Sequence, residues 1–233
     1  MAEHHRRASP DGPRPGDRLA RVIDPKRILV LAPHTDDAEL GCGGSMARWL
    51  EEGVEVSVAV FSTAEKSLPE GSRTGQLKEE CEAALDSLGV PEERRFVYDF
   101  PVRELGYHRQ EVLEILVQLG RELSPEWVLV PSGADLHQDH ATVYAEGLRA
   151  YKHLTLLGYE LPWNHITFSA SAFVTLQERH VEAKWDALTH YESQLSMGRP
   201  YFQRDVIESI ARMRGLMVKA PWAEAYEMIR IRL

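Results

Sequence analysis

Cysteine is nearly absent from this chain. Cys42 and Cys81 are its two, too few for a secreted disulfide framework or for a thiolate metal site. A reducing compartment suits such a chain, so the expected location is cytoplasmic. Long apolar runs are missing too: none approaches the roughly 18 residues that a bilayer-spanning helix requires, and the amino-terminal stretch is charged where a signal peptide would be apolar. Positive charge is in deficit, with 27 Lys and Arg against 36 Asp and Glu and a formal net charge of -9 at pH 7. That balance argues against a nucleic-acid partner held mainly by contacts to phosphate. Apolar residues, by contrast, make up 43% of the 233, enough to bury a core without disulfides or a structural metal.

Residues 1–26 are rich in Arg, Pro, Asp and Gly and carry no hydrophobic period, the pattern of a flexible arm, and residues 27–233 are expected to form a single domain. Ile28 to Ala32 is a short continuous apolar run, as expected of a strand buried on both faces of a parallel sheet. Apolar spacing then predicts a helix over 39–52 stopped by Gly53, a strand over 54–61, and a helix over 76–88 closed by Gly89. A strand over 95–98, a helix over 110–123 and a strand over 127–130 follow. Strand and helix alternate, which implies right-handed crossovers and an α/β, Rossmann-like doubly wound, mostly parallel sheet with helices on both faces. Further on, the pattern suggests helices at 140–151, 181–194 and 203–213 and strands at 166–174 and 226–233.

Chemistry concentrates in two places. Pro33-His34-Thr35-Asp36-Asp37-Ala38-Glu39 follows the first strand, and Asp135-Leu136-His137-Gln138-Asp139-His140 follows the fourth. In the commonest doubly wound order those two strands are neighbours at the switch point, where ligands bind beyond the carboxyl ends of the strands. Each cluster alone reads as a solvated loop with a helix cap, since Asp36, Asp37 and Asp139 are all suitable N-cap residues. Together they point to one cavity, and imidazoles with carboxylates suggest a catalytic zinc that keeps one open position. Gly41-Cys42-Gly43-Gly44 raises a nucleotide site, but the spacing does not fit G-x-G-x-x-G and the adjacent carboxylates would repel a pyrophosphate. The glycines more naturally allow this helix to approach the sheet or substrate closely.

PHTDDAELGCGG at 33–44 is similar to the AHPDDxE motif, and HQDH at 137–140 to the HPDH motif, of the PIG-L or LmbE-like deacetylases. The chain resembles that family from Arg27 onward. GSRTGQLKEE, YELP at 159–162, HYESQ at 190–194 and the late AEAYE add weaker similarities. Pro33, Thr35 and Gln138 depart from the family pattern without removing a ligating atom. The resemblance implies metal ligation by His34, Asp37 and His140, with Asp36 as general base. It implies that His137 stabilises the oxyanion and that Asp139 orients it or otherwise holds the second motif together. For that role His137 is expected to be protonated, its pKa raised by Asp139. Arg73, in the loop after the second strand, is implied to reach substrate. Asp99, after the third strand, sits near the crevice or caps a turn. Trp163 either stacks on a sugar face or plugs the core.

The implied activity is removal of an acetyl group from an N-acetylated amino sugar or its conjugate. The implied cofactor is Zn2+, with another divalent metal such as Fe2+ as the alternative, and the partner is a small molecule; a homo-oligomer is left open. The competing readings are a metal-dependent amidase acting on a larger thiol or peptide-like conjugate, and a non-catalytic nucleotide-binding α/β module.

Overall fold

The computed structural model describes residues 24–232, so the flexible arm expected over 1–26 falls almost wholly outside the described residues. Regular structure starts where the apolar residues do, at β1 (Arg27–His34). The chain continues through α1 (Asp37–Glu51), β2 (Glu55–Ser62), α2 (Gln76–Ser87), β3 (Arg95–Val97), α3 (Arg109–Leu123) and β4 (Trp127–Pro131). Then come α4 (Gln138–Ala150), β5 (Thr155–Tyr159), β6 (Ala172–Leu176), α5 (Glu178–Thr189), α6 (Glu192–Ser196), α7 (Arg204–Met217) and β7 (Trp222–Arg230).

Successive β1 side chains enter opposite cores, because strand side chains alternate between faces. Ile28, Val30 and Ala32 pack with Met46, Ala84, Leu188 and Ile207 from α1, α2, α5 and α7. Leu29 and Leu31 pack with Val112, Leu116 and Val143 from α3 and α4. Both faces are therefore covered, and each fully buried Leu or Val contributes about 1.5–3 kcal/mol. The seven strands lie in the order β3-β2-β1-β4-β5-β7-β6. The first five are parallel, and β7 runs antiparallel between β5 and β6. This is the mixed, mostly parallel, doubly wound sheet expected, with β1 beside β4.

Four readings of the later chain change, one being the closing strand, which starts at Trp222 rather than Tyr226 and ends at Arg230. β5 is an extra strand over Thr155–Tyr159, fully buried, in a stretch the pattern left unassigned. The strand expected at 166–174 is β6, shifted to Ala172–Leu176 at the sheet edge. The helix expected at 181–194 is two, broken before Glu192 where the Tyr191 hydroxyl is drawn to the Thr35 carbonyl. No helix among the described residues is long and apolar enough to cross a membrane.

α1 is itself broken, with Cys42 at φ -147°, ψ 20°. A break strands backbone groups that a continuous helix would pair, and buried ones must find partners elsewhere. Glu224 of β7 accepts from the Gly44 and Ser45 N–H groups at 3.0 and 2.7 Å. Lys184 of α5 donates to the Leu40 carbonyl at 2.8 Å and pairs with Glu224 at 2.7 Å. Glycine is required beside the break because a Cβ on Gly41 would stand 2.4 Å from the Tyr159 ring.

Candidate active site

β1 and β4 end side by side, and the helices that follow them leave for opposite faces of the sheet. His34 is the last residue of β1, Asp36 precedes α1 and Asp37 opens it. Asp36 holds the N-cap position without any side-chain capping bond, so its carboxylate is not consumed by the helix. His137 is the N-cap of α4: its Nδ1 accepts the Asp139 N–H at 3.2 Å. Both clusters line one cavity of about 310 Å³, together with Leu77, Trp163, Gln194, Arg199 and Tyr201.

His34 Nδ1, Asp37 Oδ2 and His140 Nε2 form a triangle whose three sides are each 3.2 Å. Ligand atoms about 2.0–2.1 Å from a tetrahedral zinc stand roughly 3.3–3.4 Å apart, so the triangle fits one face of such a centre. Each imidazole is held from behind by a further carboxylate. His34 Nε2 meets Asp139 Oδ2 at 2.9 Å, and His140 Nδ1 meets Asp135 Oδ2 at 2.7 Å. A carboxylate in that position fixes the ring and turns its other nitrogen toward a metal. Two imidazoles and one carboxylate suit zinc and ferrous iron alike. His137 completes a set of three histidines whose donor nitrogens all lie within 4.8 Å of one another.

The electrostatics favour a cation at the triangle. Burial opposes a charge on His34, yet its hydrogen bonds to Asp139 and Asp37 raise its pKa to about 9. Burial likewise opposes a charge on His140, and Asp37 and Asp135 raise it to about 10. Asp37, though buried, is held well below the usual carboxylate range by His140 and His34. Asp36 behaves differently: burial and the neighbouring Asp37 charge push it up to about 6.

The expectation of a protonated His137 beside Asp139 is not met. The Asp139 carboxylate faces His34 and accepts the Arg103 and Leu105 N–H groups at 2.6 and 3.2 Å. Burial and the positive charge of His140 and His34 hold the His137 pKa below that of an ordinary imidazole. With Nδ1 placed to accept the Asp139 N–H, the His137 ring has Nε2 free to act as a donor.

Arg73 and Asp99 do not join the others. Arg73 is exposed and engages Glu79 through both terminal nitrogens, at 2.5 and 2.6 Å. Asp99 is exposed and accepts from the Thr63 hydroxyl at 3.0 Å. Neither lines the cavity, whose arginine is Arg199. Asp135, which holds the His140 ring, is the residue of the second cluster to which motif reading gives no role. Gly41, Gly43 and Gly44 face the packed side chains of Tyr159, Lys184 and Leu176, which leaves no phosphate cradle and removes the feature that suggested a nucleotide site. Trp163 lines the cavity, stacked on Tyr201 with ring centres 4.3 Å apart.

The family described as PIG-L, GlcNAc-PI de-N-acetylase, matches residues 29–151, which contain both clusters. An uncharacterized deacetylase of Escherichia coli, YaiS, is 29% identical over 175 residues, covering 72% of this chain and 91% of its own length. The diacetylchitobiose deacetylase of Thermococcus kodakarensis is 29% identical over 136 residues, 54% of this chain and 49% of that protein. Among solved structures, a conserved protein of Thermus thermophilus superposes with a TM-score of 0.74 at 25% identity, covering 88% of this chain and 96% of that one.

Proposed function

The chain belongs to the PIG-L, GlcNAc-PI de-N-acetylase, family, and from that premise we propose that it hydrolyses the acetamide of an N-acetylated amino sugar or of a conjugate built on one. The diacetylchitobiose deacetylase relative supports the amino-sugar substrate. The observation that carries the reading is the triangle of His34, Asp37 and His140 donors with 3.2 Å sides, each imidazole backed by a carboxylate. Those three residues hold the divalent cation, zinc in this reading. When bound, the cation supplies a Lewis acid for the acyl carbonyl and lowers the pKa of water toward neutrality.

The remaining work falls to the chain. Asp36 lines the cavity with an uncommitted carboxylate, so it takes the proton of the attacking water and delivers it to the departing amine. His137 presents Nε2–H as a donor, and that donor meets the acyl oxygen as negative charge develops on it. A neutral donor suffices for this, and its proton need not be exchanged with solvent during turnover. Trp163 stacked on Tyr201 gives the cavity an aromatic wall, against which the apolar face of a sugar ring rests.

The test is incubation of the zinc-loaded protein with N-acetyl sugars, nucleotide sugars and thiol conjugates, followed by mass spectrometry. Appearance of the free amine and acetate from the amino-sugar members supports the reading. Protein that carries stoichiometric zinc and releases acetate from none of them would refute it.

A further inference from the structure

Arg199 is the one Lys or Arg among the described residues lining the cavity. It is held by a buried relay: its Nε donates to Gln194 Oε1 at 2.9 Å, and Gln194 Nε2 donates to Ser193 Oγ at 3.1 Å. The Ser193 hydroxyl and N–H both donate to Glu80, at 2.6 and 3.0 Å. Gln194, Ser193 and Glu80 are all buried. A relay that grips Nε orients the guanidinium, whose terminal nitrogens stand beside the Tyr201 hydroxyl and near the charge of Asp36. No carboxylate of the described residues forms an ion pair with them, whereas Arg73, Arg109, Arg179 and Arg214 all have such partners. An oriented arginine fork with no ion-pair partner on a cavity wall suits a carboxylate or phosphate.

The rest of the cavity makes this meaningful. Asp36 and Asp37 line it, and Asp135 and Asp139 stand directly behind. Apart from the triangle and whatever cation it holds, Arg199 is the one basic group of the cavity lining that would attract an acidic substrate. We propose that Arg199 determines specificity by receiving an oxyanion carried by the substrate, so that the preferred substrates are acidic N-acetylated amino sugars or conjugates. This rests on the deacetylase reading for the reaction, but not for the binding.

The test compares N-acetylglucosamine, N-acetylglucosamine 6-phosphate and the carboxylate-bearing N-acetylmuramic acid, in zinc-loaded wild type, Arg199→Gln and Arg199→Lys. Wild type is expected to favour an acidic member over the neutral one in kcat/KM by roughly ten- to a hundredfold, carried by KM, the range of a hydrogen bond between charged groups. In Arg199→Gln that ratio should fall to about one. Arg199→Lys should keep part of the preference for phosphate and less for carboxylate, because lysine supplies charge without the fork. Calorimetry of glucosamine 6-phosphate against glucosamine reads the same preference without turnover. A wild type that prefers neither, or an Arg199→Gln that weakens acidic and neutral sugars alike, overturns the proposal; the second result would mean that Arg199 acts only on its neighbour Asp36. If no acetamide is cleaved but the phosphate-bearing sugar binds more tightly through Arg199, the proposal stands and the deacetylase reading fails. Equal binding of both sugars ends it.

Discussion

Asp36 and Asp37 are neighbours in different settings because one precedes the first turn of α1 and the other begins it. Asp37 Oδ2 accepts the His34 N–H at 2.9 Å and closes the donor triangle, whereas Asp36 makes no capping bond. Asp36→Asn should therefore lower kcat by about 10²- to 10⁴-fold, the range of a lost general base, with zinc content near that of wild type by elemental analysis. Asp37→Ala should lose the metal. Equal metal loss in the two variants would show the roles to be confused. Asp139→Asn tests the support behind His34, and loss of a carboxylate from that position is expected to weaken metal affinity about 10- to 100-fold, read by competition with a chromophoric chelator. An unchanged affinity would make Asp139 only an anchor for the Arg103 and Leu105 backbone. At this scale most of the site was legible, because ligand-type residues crowd the ends of two apolar runs. Asp135 needed distances to separate it from a cap. Arg199 carries no motif, and only the relay from Glu80 brings it to the cavity.

α1 depends on elements far along the chain. Lys184 and Glu224 bind the two sides of the break in α1 as well as each other, so either alone would be left as an unpaired buried charge. Lys184→Met and Glu224→Gln should each destabilise by about 3–5 kcal/mol. The double variant should lose less than the sum, and urea unfolding of the four proteins in a double-mutant cycle measures the difference. Strict additivity would mean that the two residues act independently on the helix. Such long-range pairing also explains which elements could be read in advance. β1, β2 and β4 are buried on both faces and announce themselves as apolar runs. β5 is equally buried, but Thr155, Gly158 and Tyr159 dilute its signal, and its place is set by Pro131 and Tyr226 on either side. β6 lies at the edge and pairs only with β7, so its alternation is weak.

One sheet runs through the described residues, and the two cores lie against its opposite faces. Tryptophans at 49, 127 and 222 sample α1, β4 and β7. Loss of far-ultraviolet circular dichroism and loss of tryptophan fluorescence should therefore coincide in denaturant, as in a single cooperative transition. Two separated transitions would divide residues 27–233 into more than one folding unit. The position of β7 has a consequence for biosynthesis. Among the described residues it is made after the other six strands yet sits between β5 and β6, so a nascent chain emerging from the ribosome holds β6 without a place in the sheet until Trp222–Arg230 is released. Glu224 arrives with that strand. The helix bearing Asp37 is thus completed by a residue made 180 positions after Gly44, and a product cut before that strand would carry all three donors of the triangle without the strand that braces them.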